Sequence, residues 1–105
     1  MTARPSITGC RLSSRARIDL AEIWRYTARR WSVTQADAYI DSFDDTLRRI
    51  VDAPFALRER TELRIPVRIA LHEAHLVIYR IEPPNVLVDR IIHGRWNWPA
   101  ILDGE

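Results

Sequence analysis

Arginine does all the permanent cationic chemistry open to this chain. The sequence carries sixteen basic residues and not one lysine. No amine is therefore available as a general base, a Schiff-base former or a phosphate point charge. Every cation is instead a planar fork suited to carboxylate or phosphate. Arg68, Arg80 and Arg90 fall one on each of three successive strand-like segments, and Arg95 follows just after the last. Arg80 and Arg90 sit inside otherwise apolar runs. Burying an unpaired guanidinium is very costly, so each must reach a carboxylate, a carbonyl or water. Two arrangements are open: internal pairs such as Arg90 with Glu82 or Arg80 with Asp89, or an uncovered sheet face turned to a macromolecular partner. Strand register decides between them. The expectation is the partner-facing one.

The remaining chemistry-bearing residues are few. His72 and His75 flank a turn at a spacing that could begin a metal site, but a site needs three or four ligands and no cysteine or acid completes one. No metal is expected. His93 beside Arg95 could serve as acid or base in phosphodiester cleavage, since neutral imidazole titrates near working pH. Trp24 and Trp31 follow a helical stripe and read as core. Trp96 and Trp98 alternate around Asn97, as either core cover or partner anchors. With three glycines there is no phosphate-cradling loop. Ser13 and Ser14 have no nucleophile setting and read as helix caps.

Two helices and a run of strands must position these groups. Ala16, Leu20, Ile23, Trp24, Thr27 and Trp31 form one stripe at spacings of three and four, and Ala36, Ile40, Phe43, Leu47, Ile50 and Val51 form another. The first helix is expected to end near Arg30, with Trp31-Ser32-Val33 as connector. A capping box at Thr34-Gln35-Ala36-Asp37 would open the second, and Pro54 would close it. The short connector makes an antiparallel hairpin. A short strand over Thr8–Leu12 precedes the helices. Phe55–Leu63 reads as a solvated loop. Beyond it, Ile65, Val67, Ile69 and Leu71 alternate with Arg64, Arg68 and His72, and Glu73-Ala74 is a turn. His75–Ile81 is apolar on both faces, as in a central strand. Glu82-Pro83-Pro84-Asn85 turns the chain into Val86–His93, and a short turn or helix ends it. The fold class is α+β, β-α-α-β-β-β, with the helical hairpin packed on a mostly antiparallel sheet.

A chain of 105 residues is expected to be one domain, residues 1–105 with a core about 8–98. Its 47% apolar and 29% charged residues fit a soluble globular protein rather than a disordered one. No apolar run nears the ~20 residues of a membrane span, and Met1-Thr2-Ala3-Arg4-Pro5-Ser6 lacks a secretory core. The single cysteine, Cys10, rules out an internal disulfide and fits a reducing, cytoplasmic setting. Charge is uneven: residues 1–34 hold seven arginines against two acids, whereas residues 35–63 hold four against seven. Any steering toward nucleic acid would come from the first helix.

An ordered series of residues runs through these elements. It comprises Leu12-Ser13, Ala16, Asp19-Leu20, Ile23-Trp24 and Tyr26, then Ala53-Pro54, then Arg68 with His75-Leu76-Val77-Ile78-Tyr79-Arg80, and finally Arg90-Ile91-Ile92-His93-Gly94-Arg95. The series resembles ParE toxins of the RelE/ParE superfamily, over roughly Arg11 to Asn97. The resemblance implies the toxin half of a bacterial type II toxin–antitoxin system, binding and inhibiting DNA gyrase rather than acting as an enzyme, with no cofactor. It also implies a ParD-like antitoxin with a ribbon-helix-helix domain, through which alone DNA would be met, and no membrane partner. Arg68, Tyr79, Arg80, Arg90, His93 and Arg95 match recurrent family positions. With Trp96 and Trp98 they are the residues expected to contact antitoxin or target. RelE-type relatives cut mRNA on the ribosome with lysine, arginine and a C-terminal tyrosine. This chain has no lysine, and no tyrosine follows His93. Were it a ribonuclease, His93, Arg95 and Arg80 would be catalytic. An inactive antitoxin-binding module is a third alternative.

Overall fold

The two serines ahead of the first helix divide their roles. The computed structural model describes residues 4–104; the expectations touching Met1, Thr2, Ala3 and Glu105 lie outside the described residues. Strand β1 (Gly9–Leu12) ends at Ser13, whose hydroxyl accepts from the Ala16 N–H at 2.9 Å and so caps α1 (Ser14–Arg30). That bond satisfies one of the four N–H groups a helix start leaves free. Arg29 and Arg30 sit at the negative end of the helix.

Helix α2 (Val33–Asp52) starts earlier than the capping box at Thr34 predicts. Ser32 is the cap. Its extended backbone lets the hydroxyl accept from the Gln35 N–H at 3.0 Å, so Ser32 and Gln35 hold the positions expected of Thr34 and Asp37. Asp37 is thereby free to accept from Trp24 Nε1 at 2.8 Å across the hairpin. Trp24 is thus a clamp between helices as well as part of the stripe. Trp31, expected in the core, is 62% exposed. The helical period reaches it only at the C-cap, with the Arg30 guanidinium 4.8 Å from its ring.

The sheet has the order β1-β4-β3-β2, where β2 is Arg68–His72, β3 His75–Glu82 and β4 Asn85–His93. β1 runs parallel to β4 and the other pairings are antiparallel. Ala16, Phe43 and Ile50 of the helices pack on Ala70, Val77, Tyr79, Val86, Val88 and Ile91. The opposite face was expected to be uncovered, and it is not. Leu63, Val67, Ile78 and Ile92 form a second cluster there, with Trp98, Ile101 and Leu102 around the short α3 (Trp98–Asp103) packed against it. The central strand β3 is apolar on both faces for this reason. β2 begins later than its alternation predicts: Ile65 precedes it at 49% exposure, and Leu71 reaches 70% at the sheet edge.

One extra residue in β4 resets its alternation. Val88 lies opposite Tyr79 and Arg90 opposite Ile78, so Asp89 is a bulge without a cross-strand partner. Past β1, the outer edge of β4 is taken over by α1 and its cap. The Ser13 N–H donates to Val88 O and its hydroxyl to Asp89 O. The Asp19 carboxylate accepts from the Ile91 N–H at 2.9 Å and from two Arg90 nitrogens at 2.8 and 3.2 Å. Both side chains of this pair are almost wholly buried, at 4% and 5% exposure. Removing one partner leaves a charge uncompensated in the interior. Asp19→Ala is therefore expected to cost about 3–5 kcal/mol, measured by urea denaturation. A loss under about 1 kcal/mol would mean the pair does not anchor the helix.

An aromatic groove at the end of the helical hairpin

The residues that converge lie where the α1–α2 connection, the β2–β3 turn and the end of β4 meet. Between them runs an open groove of about 1110 Å³, lined among others by Tyr26, Trp31, Tyr39, His75, His93 and Trp96. Tyr26, Trp31 and Trp96 are each more than half exposed. Large rings left in water around one concavity mark a binding surface. Glu73 takes a positive φ of 51° in the two-residue turn that forms one wall, a conformation unusual for a side chain with a Cβ. The Gly94 N–H ties the end of β4 to Ala74 O at 2.8 Å.

The groove floor is a chain of rings. Tyr39 Oη and His75 Nδ1 share a hydrogen bond of 2.7 Å, and the His75 ring meets His93 edge-on at 5.4 Å. His93 Nδ1 accepts from the Arg95 N–H at 3.1 Å, so in the neutral ring the proton sits on Nε2. Burial, with the His93 and His72 charges behind it, pushes His75 down to about 4. His72 lies deeper, stacked on Phe43 at 4.0 Å and bonded to Ser42 and Thr46 at 2.8 and 2.7 Å. Burial lowers its pKa too. His72 and His75 are thus each engaged by α2 side chains. Among the described residues no three potential ligands stand close enough to hold a metal ion.

Of the eight expected contact residues, the fold brings His93, Arg95 and Trp96 to this groove. The others go elsewhere. Arg90, expected to face a partner or pair with Glu82, is buried on Asp19. Arg80 makes the internal pair named as its alternative, with two bonds to Asp89 at 2.7 and 3.0 Å. Arg68 donates to Leu57 O and lies 5.4 Å from the Phe55 ring. Tyr79 is fully buried, its hydroxyl donating to Pro54 O at 3.2 Å. Trp98 belongs to the far cluster, under the Arg60 guanidinium. Conversely Tyr26, Trp31 and Tyr39 line the groove although none was expected as a contact residue, and Trp31 was expected in the core. Tyr26 alone carried a signal, an aromatic off the buried stripe of its helix.

The groove is also where a ribonuclease trio would have to assemble, and it does not. His93 pairs with His75, five residues along β3 from Arg80, a separation of about 17 Å at ~3.3 Å per residue.

Comparison with known proteins bears on the same span. A model of the family described as "ParE toxin of type II toxin-antitoxin system, parDE" matches residues 10–98. The chain belongs to the ParE toxin family. Family membership makes it the toxin half of a type II toxin–antitoxin system. Toxin ParE1 of Caulobacter vibrioides is 35% identical over 92 residues, covering 88% of this chain and 95% of that protein. Toxin ParE1 of Mycobacterium tuberculosis is 32% identical over 85 residues, 80% and 87% of the two chains. A solved chain from the chromosomal ParDE system of P. aeruginosa superposes with a TM-score of 0.71 at 14% identity, covering 84% of this chain and 96% of that one. At that identity the match speaks to the fold alone, and it agrees with the α+β architecture expected for a ParE toxin.

The burial of His75 has a pH consequence. Its folded pKa of about 4 lies below the ordinary 6.5, so between these values the unfolded chain binds more protons. Stability must then rise with pH through that window. The contribution is fully present above about pH 6.5 and is lost as pH falls toward 4. Melting temperature is expected to drop between pH 7 and pH 4, and His75→Gln to flatten the drop. An unchanged slope in the variant would assign the acid sensitivity elsewhere.

Proposed function

We propose that this ParE-family toxin inhibits DNA gyrase by binding it, without catalysis. A ParD-like antitoxin carrying a ribbon-helix-helix domain silences it in the cytoplasm, where no membrane partner is involved. No helix of the described residues is long and apolar enough to cross a membrane. The observation that carries the reading is the open groove of exposed rings, together with the distance between His93 and Arg80. Such a groove suits an amphipathic segment whose aliphatic side chains enter between Tyr26, Trp31 and Trp96, the helix-in-groove mode. An acidic residue in that segment would meet Arg95 as a charge-assisted hydrogen bond.

Purified toxin added to a supercoiling reaction is expected to inhibit gyrase, while mRNA ends mapped in a translation extract stay unchanged. Full supercoiling at saturating toxin overturns the proposal, and codon-linked cuts would establish the ribonuclease alternative. Trp31→Ala or Tyr26→Ala is expected to weaken antitoxin binding by about tenfold or more, as for aromatic anchors elsewhere. Both side chains are 62% exposed, so the melting temperature should hardly move. Calorimetric titration beside a thermal melt separates the two effects.

A further inference from the structure

Three of the arginines that form no ion pair lie along one helix. Arg58 and Arg60 are held by Glu62, Arg80 by Asp89 and Arg90 by Asp19. Arg17, Arg25 and Arg29 of α1 are exposed and form no ion pair among the described residues. At helical spacing Arg25 and Arg29 lie on the side opposite Ala16, Leu20 and Ile23, and Arg17 flanks that side. The three spread over about 18 Å of axis at ~1.5 Å per residue. Arg11 and Arg15, also exposed, extend the basic strip toward β1, Arg15 with its Nε 3.8 Å from the Asp19 carboxylate. Of the two acids on this helix, Asp19 is buried on Arg90, which leaves Glu22 alone in water. The acids of the chain concentrate on α2 and the loop after it, so the molecule is dipolar. A polyanion would turn α1 toward itself.

We propose that the solvent face of α1 docks on the phosphate backbone of duplex DNA without reading its sequence. This goes beyond the expectation that DNA is met only through the antitoxin. Guanidinium forks match phosphate oxygens in pairs. A stiff row of them loses least freedom against an equally stiff, densely charged duplex. α1 is packed along α2 and cannot enter a groove alone, so it lies along the backbone. Ile18, Ala21 and Ala28, between the arginines, offer no hydrogen bond to a base edge.

Fluorescence anisotropy of a labelled duplex of roughly 20 base pairs and arbitrary sequence, with the full chain, tests this. Affinity is expected to fall by about 40- to 150-fold between 50 and 200 mM salt, as when three or four phosphates are neutralised. R17Q/R25Q/R29Q should weaken binding by about tenfold or more with unchanged circular dichroism, since glutamine keeps the helix. R58Q/R60Q/R64Q removes the same charge away from α1, where Arg58 and Arg60 share Glu62 and Arg64 donates to the Asp103 carbonyl. It should leave affinity within about twofold of the parent, because a duplex docked along α1 does not touch those side chains. Equal weakening in the two variants overturns the proposal, as does no binding at 50 mM salt or tighter binding to single-stranded RNA of equal length. Gyrase is absent from the assay, so failure here leaves the gyrase proposal to its own test.

Discussion

The structure depends on the contact between Asp19 and the strand β4. A buried carboxylate that holds Arg90 by two bonds and also takes the Ile91 N–H is more than an ion pair. An isolated buried pair barely offsets its desolvation. Here the same oxygens satisfy a backbone group that β1 is too short to reach. Ser13 does likewise one step earlier, through Val88 and Asp89. The outer edge of β4 therefore passes from strand to helix with Val88 O, Asp89 O and the Ile91 N–H each bonded. That handover fixes where α1 lies, and α2 follows through the Ser32 cap and the Trp24–Asp37 clamp.

The bulge at Asp89 is the second constraint. Strict alternation from Val86 and Val88 would send Arg90 and Ile92 under the helices and His93 away from them. One inserted residue instead sends Ile91 to the helical core and Ile92 to the far cluster. It also brings His93 opposite His75. The ring chain from Tyr39 to Trp96, and with it the groove, exists because β4 carries one residue more than β3 at that point. Asp89 itself becomes the counter-ion of Arg80.

Binding and catalysis make different demands on the same side chains. Cleavage would need cations gathered beside an imidazole. In this chain the sheet arginines are matched to its own oxygens, while His75 and His93 line the aromatic groove. The exposed surface is left with rings at one end of the hairpin and unpaired guanidinium groups along α1. Both have the form required by the macromolecular contacts proposed for them.

Much of the architecture was legible in the chain. Two apolar stripes at helical spacing, a proline stop and alternating strands after it led to β-α-α-β-β-β with small errors at the ends. Those errors have local causes, such as Ser32 preceding Thr34 as the nearer cap. The chain also named Arg80 with Asp89 as a possible pair, since both lie a few residues either side of one turn. It did not disclose Asp19 as the partner of Arg90, because seventy-one residues separate them and no local period links them. Nor did it show the bulge, which leaves composition and hydropathy unchanged yet flips every side chain beyond it. Sequence by itself determined the elements, their order and the family. Tertiary structure alone decided which arginines are hidden and which rings share a groove, because both follow from register and from contacts distant along the chain.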